Sequence, residues 1–316
     1  MRKYAFFAGL LITLLGLSSL AFGKKKKRAP VLKTKYGLLR VFPTDNPWNQ
    51  DTTKFKVHPK SDDYIASMGL NKALHPDFGS PWKGTPIGIP FIVVSKKQKK
   101  VPVTFKYADE SDKGPYPIPD NAPIEGGAGA KGDRHVLVID YHNKKLYELF
   151  SAYKTEKGWK AGSGAIFDLT SNKQRTKGWT SADAAGLAIF PGLVRYDEVV
   201  QQRVIRHALR FTAQKTQRAY VFPATHFASR HKDAKLPPMG LRVRLKRSFD
   251  IRPFPKTVQV ILLALKKYGM ILADNGSDWY VSGAPHPQWN NGELRALKKL
   301  KGQNFEAVYT GPLVTK

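Results

Sequence analysis

The sequence predicts a mainly β fold: a β-sandwich or jelly-roll-like body with a few added helices. Three observations point there. Apolar and β-branched residues come in short runs, several of them alternating with polar residues at the period of a half-buried strand. The 26 Gly and 22 Pro punctuate those runs at close intervals, as turns do in an all-β chain. One long stretch alone, Val258–Tyr268, repeats its apolar residues at helical spacing.

In chain order, residues 1–23 read as a secretory signal. Arg2 and Lys3 precede an apolar run from Tyr4 to Leu17, and small residues lead to Ala21-Phe22-Gly23. The expected location is therefore exported, periplasmic or extracellular. Five basic residues follow at once (Lys24–Arg28), and positive charge there hinders export, so an uncleaved N-terminal anchor is the alternative. Residues 24–35 read as a basic tether and 36–316 as a single β-rich domain opening on the strand GLLRVFP. Ile87–Val94 and Val101–Tyr107 read as two strands around a Lys-rich turn. The acids Asp109, Glu110 and Asp112 resemble part of a calcium loop. Their spacing lacks the closing Glu and prolines follow, which favours a rigid surface loop over a metal site. Pro123–Gly132 is Gly-rich but lacks the Lys-Ser/Thr of a phosphate cradle.

Residues 134–150 predict a β-hairpin turning at His142-Asn143, which sets Leu137 opposite Glu148. The pleat then puts His135, Leu137, Ile139, Leu146, Glu148 and Phe150 on one face. A carboxyl among these apolar neighbours is either paired to a cation or desolvated, with a raised pKa suited to donating a proton. A second acid, Asp183, sits among small residues in Ser181-Ala182-Asp183-Ala184-Ala185-Gly186, where a partner can come close. It is either a turn or cap residue or a catalytic acid. Downstream, Val204–Thr212 reads as a strand with His207 on its core face and Arg206 and Arg210 opposite. Gly240–Leu245 reads as an edge or one-sided strand, and Val258–Tyr268 as a helix stopped by Gly269. Met270–Ala273 and Trp279–Ser282 read as a hairpin around Asn275-Gly276, and Glu293–Lys299 as a short basic helix.

Fifty-three basic residues stand against 24 acidic ones, a net charge of +29, and that excess attracts anionic polymers. The expected partner is a polysaccharide, anionic or neutral. Nucleic acid is not expected, because no reading helix or aromatic-and-basic platform is evident. A membrane enters only through the N-terminal segment. No Cys is present, which removes disulfides and thiolate chemistry, and no spacing calls for a metal or cofactor.

These readings converge on an exported enzyme that cleaves a polysaccharide by hydrolysis, with Glu148 as general acid and Asp183 as general base. Tyr147, Trp159 and Trp179 are the candidate sugar platforms, and Arg134 and Arg210 the candidate binders of an acidic sugar. A lyase using His207, Arg210 and Tyr220 is the first alternative. A non-catalytic envelope protein holding an anionic polymer through Lys and Arg is the second.

Several phrases, FPTDNPWN, YADESDKGPYPIP, GDRHVLVID, SADAAGL, HALRFT and YGMILADNGSDWYVSGAP among them, resemble an exported bacterial family of unassigned function over most of residues 41–310. A second, local resemblance is to the thaumatin-like β-1,3-glucanases. It implies that Glu148 in Leu146-Tyr147-Glu148-Leu149-Phe150 and Asp183 in Asp183-Ala184-Ala185-Gly186-Leu187-Ala188-Ile189 act as the acid and base. The sequence departs from that family in a longer gap between the two acids and in Ala188, where the family has Pro.

Overall fold

The structure, a computed structural model, describes Met1 and residues 29–315. The signal-like segment beyond Met1, and the tether as far as Arg28, lie outside the described residues. The fold begins before the expected Tyr36: Val31–Thr34 already pairs as a strand with Gly37–Arg40.

The protein is mainly β. A four-stranded sheet runs in the order Ser163–Asp168, Lys145–Phe150, Val136–Asp140, Phe91–Val94. A six-stranded sheet runs Phe305–Val308, Arg242–Leu245, Met270–Asn275, Leu209–Ala213, Tyr280–Ser282, His75–Asp77. Both sheets mix parallel and antiparallel pairs, whereas a jelly roll is built from antiparallel strands. One continuous apolar core joins them, with Leu137, Ile139 and Leu146 from the first sheet and Leu209, Phe211 and Ile271 from the second. A smaller core around Tyr116, Val138 and Trp159 fills the other face of the four-stranded sheet.

The hairpin register is as the alternation dictates, with Leu137 opposite Glu148 and Asp140 opposite Lys145. The helix spans Lys256–Lys267, and its apolar face (Val258, Ile261, Leu262, Leu265) is buried. Gly269 stops it at φ 66°, a left-handed turn that glycine adopts without strain. Ser61–Met68 adds a helix whose short apolar pattern the sequence reading passed over. Among the described residues, no helix is long and apolar enough to cross a membrane.

Four expectations about the strands differ. Phe91–Val94 pairs with Val136–Asp140, and Val103–Phe105 pairs with Gly158–Ala161, so the two do not form a hairpin with each other. Arg242–Leu245 is an interior strand between Met270–Asn275 and Phe305–Val308, with Arg242 buried and bonded to the Pro47 carbonyl. The strand expected from Val204 starts only at Leu209. That strand also inserts between Met270–Asn275 and Tyr280–Ser282, which are therefore not a hairpin. In the two displaced hairpins a long-range partner out-competes the nearest neighbour in sequence.

Candidate functional site

Three adjacent strands of the six-stranded sheet carry Asp274, Arg210 and Ser282. Arg210 and Asp274 share a face because of a one-residue irregularity in the register. Phe211 pairs with Leu272, but Thr212 pairs with Asp274, leaving Ala273 as an extra residue. An unbroken register would set Asp274 opposite Ala213, on the face of Phe211. The bulge turns it onto the face of Arg210 and Thr212.

The freed Ala273 carbonyl accepts the Ala185 N–H at 2.9 Å, which seats the small-residue loop 181–187 against the bulge. That loop carries Asp183. Arg210 donates to both its oxygens, from Nε to Oδ2 at 2.8 Å and from Nη2 to Oδ1 at 2.6 Å. The remaining guanidinium donors go to Ser282 Oγ at 2.6 Å and toward Asp274 Oδ2 at 3.4 Å. Burial alone would lower the Arg210 pKa, but the Asp183 charge overrides it and raises it. Gly186 closes the loop at φ 72°; a Cβ there would meet Thr225 Oγ1 at 2.1 Å.

The two acids singled out from the sequence meet on one loop, as anchors. Glu148 has no exposed surface, and its carboxyl accepts the backbone N–H groups of Ile189 (2.9 Å) and Phe190 (2.9 Å). Burial raises its pKa to about 7 against the pull of those N–H groups, as the desolvated reading of the sequence expects. With no surface, however, it cannot touch a substrate. Glu148 therefore pins residues 189–190 to the four-stranded sheet, while Asp183 pins the start of the loop to the six-stranded sheet. Glu148→Ala should cost about 3 kcal/mol, because it opens a cavity and orphans two buried N–H donors. Urea denaturation measures this, and a loss under 1 kcal/mol would count against the anchoring role.

His135 supports the loop from the third side. Its Nε2 lies 3.1 Å from the Ala182 carbonyl and its Nδ1 2.7 Å from Glu125 Oε2. Burial alone would lower its pKa, but Glu125 overrides that and lifts it to about 9.

Asp274 opens onto a cleft of about 440 Å³, with the Asp183 loop forming part of the wall beside Tyr107, Glu110, Asp133, Phe150, His226 and Phe227. Four of the fifteen lining residues are acids and none is Lys or Arg, in a chain where basic residues outnumber acids two to one. Asp183 is sealed behind Arg210 with no side-chain exposure, while the Asp274 side chain remains 22% exposed. Asp274 is hydrogen-bonded to Asp183. Burial first, and the Asp183 charge second, raise its pKa to about 8 despite Arg210, which favours the protonated carboxyl.

The other predicted site residues lie elsewhere. Arg134 is buried, gives Nε and Nη1 to the carbonyls of Ala152, Ala128 and Ala130 and stacks 4.2 Å over Tyr153, a structural role away from the cleft. Tyr147 is buried edge-on against Tyr116, and Trp159 is buried in the smaller core, so neither offers a ring to a sugar. Trp179 is half-buried beside Arg175, in a separate pocket with Asp112 and Asp168. His207 is buried between Glu198 and the Ala208 carbonyl, the core-histidine alternative. Tyr220 is buried and stacks on Phe227, behind the cleft wall. Glu110 and Asp112 of the acidic run are engaged by the Thr180 N–H and by Arg175. Among the described residues, no group of three His, Asp or Glu is arranged to hold a metal ion. The sequence reading missed Asp274, His226, Glu110 and Asp133 as site residues. The only signal for Asp274 was a carboxyl ending the apolar run Met270–Ala273, and the neighbouring Asn-Gly turn explained it away.

Folding stability should fall as pH rises from about 4 to about 9. Glu148 and Asp274 keep a proton in the fold, up to about pH 7 and 8, that the unfolded chain releases near pH 4. Their contribution is complete below the unfolded pKa and is lost as pH climbs through the folded one. His135 acts in the same direction between 6.5 and about 9. Glu125 and Glu198, whose pKa values are lowered against the cost of burial by their basic partners, oppose this only below about pH 4.5. Urea midpoints measured across this range should decline; a flat or rising profile contradicts the burial of these groups.

Comparison with protein-family models, curated proteins and solved structures returned no significant match. The geometry of the cleft therefore carries the functional reading.

Proposed function

We propose that the chain is an exported carbohydrate-active hydrolase in which Asp274 is the general acid that protonates the glycosidic oxygen. Export rests on the signal-like residues 1–23, and the two large sheets around one core are read as a sandwich-like scaffold. The observation that carries the proposal is the partly exposed Asp274 carboxyl beside the sealed Asp183 carboxylate, in the wall of a cleft that also carries Glu110, Asp133 and three aromatic rings among small and neutral polar residues, with no Lys or Arg. Glycoside hydrolysis needs a proton donor, together with negative surroundings for the positive charge that builds on the sugar ring. Tyr107, Phe150 and Phe227 are the aromatic surfaces available to a sugar. The general-acid role thus passes from Glu148 to Asp274, and Asp183 becomes the neighbour that keeps Asp274 protonated.

The same lining repels a uronate. Arg210 and His207, the groups a lyase would use on one, are both occupied by carboxylates. A neutral or amine-bearing saccharide fits better. The +29 charge supports contact with an anionic polymer on surfaces outside the cleft, where the non-catalytic reading would place it.

The test incubates the protein with β-glucans, chitosan and uronate polymers and follows new reducing ends. Wild type should release them from a neutral or amino polymer, and Asp274→Asn should not, while still binding. No release from any polymer, or an unimpaired Asp274→Asn variant, overturns the proposal.

A further inference from the structure

We infer that His226 is the base that takes a proton from the attacking water, and that Glu110 stabilises the imidazolium that results. This rests on the hydrolase reading of the cleft and assigns its second catalytic residue.

The His226 ring is held in one tautomer. Its backbone N–H and that of Thr225 both donate to the Ala185 carbonyl, at 3.3 and 3.0 Å, fixing the residue against the loop that bears Asp183. Nδ1 lies 2.7 Å from the Ala184 carbonyl, and a carbonyl only accepts, so Nδ1 carries the hydrogen. In the neutral ring Nε2 is then left with its lone pair. Nε2 lies 4.0 Å from Glu110 Oε2, beyond a hydrogen bond but close enough for charge to be felt. Glu110 is itself fixed by the Thr180 N–H at 2.9 Å. The His226 side chain is 23% exposed and lines the same cleft as Asp274. A ring oriented by the Ala184 carbonyl at Nδ1, whose bare Nε2 faces a fixed carboxylate 4.0 Å away, can take a proton from a water and have the resulting charge offset by that carboxylate.

The step balances. Nε2 takes a proton from water as its oxygen attacks the anomeric carbon. The glycosidic C–O bond breaks with its electron pair leaving on the departing oxygen, which takes the Asp274 proton. Imidazolium and Asp274 carboxylate remain, and exchange with solvent restores both. One displacement by water inverts the anomeric centre.

Two measurements test this. Long-range ¹H–¹⁵N spectra of the wild type, with His226→Asn supplying the assignment, should show Nδ1 protonated and Nε2 bare in the neutral ring; the opposite tautomer overturns the inference. On whichever polymer the wild type cleaves, His226→Asn should lose about 100-fold or more in kcat, with KM changed less than about threefold. Added imidazole should restore part of the rate, and ¹H NMR should show inverted product. Glu110→Gln, which keeps the Thr180 N–H contact, should lose about tenfold in kcat and provides a reading if His226→Asn fails to fold. Retained configuration, or a His226→Asn variant within threefold of wild type, overturns the inference while leaving the hydrolase reading intact. A wild type that cleaves nothing overturns both.

Discussion

Asp274→Asn should lose turnover by a factor of about 10² to 10⁴, the usual worth of a positioned general acid, while ligand affinity changes only a few-fold. Asparagine keeps the shape of the protonated carboxyl and can still donate to Asp183, so the cleft should stay intact. What disappears is the transferable proton. The same variant should flatten part of the decline of stability with pH. The acid, lifted to about 8 by burial and by Asp183, loses its contribution as pH rises from about 4 to 8, whereas an amide does not titrate. At pH 8 the variant should be as stable as wild type or more so. Initial rates, equilibrium binding and urea midpoints at pH 5 and 8 decide this. Full activity with an unchanged pH profile would remove Asp274 from both roles.

Arg210→Met should destabilise the fold by about 3–5 kcal/mol, the usual cost of leaving a buried carboxyl without its cation. Methionine fills much of the volume, so the loss is chiefly electrostatic. Asp183, with no side-chain exposure, would face Asp274 unneutralised, and Ser282 would lose its donor. Arg210→Lys should recover only part of this, because an ammonium cannot span both Asp183 oxygens as the guanidinium does. Adding Asp183→Asn to Arg210→Met should return a share of the stability, and the double-mutant cycle measures the coupling. A loss below about 1 kcal/mol for Arg210→Met would mean that the ion pair does not organise the site.

Alternation in residues 134–150 was enough to place Leu137 opposite Glu148 and to bury that carboxyl, because a short hairpin fixes its own register. Asp183 drew attention through its small neighbours, and small residues are needed there. Ala182 and Ala185 are buried, and Gly186 sits against Thr225, so larger side chains would push the loop off both sheets. The purpose of that smallness was not legible: it admits Arg210 and the flanking strands rather than a substrate. His226 was visible only as one loop histidine among several, since its tautomer depends on a carbonyl 42 positions away.

By itself the sequence determined the mainly β character, the helix stopped at Gly269, and the place of Glu148 on an apolar face of its hairpin. Each follows from periodicity over a dozen or so residues. Tertiary structure alone decided which acid faces the cleft. The extra residue at Ala273 turns Asp274 onto the face of Arg210, and strand Leu209–Ala213 slots between two segments that read as hairpin partners. Neither is encoded locally: a side chain's face depends on the register of its neighbour, and a carboxyl's proton depends on the charges and the water left around it once the sheets have closed.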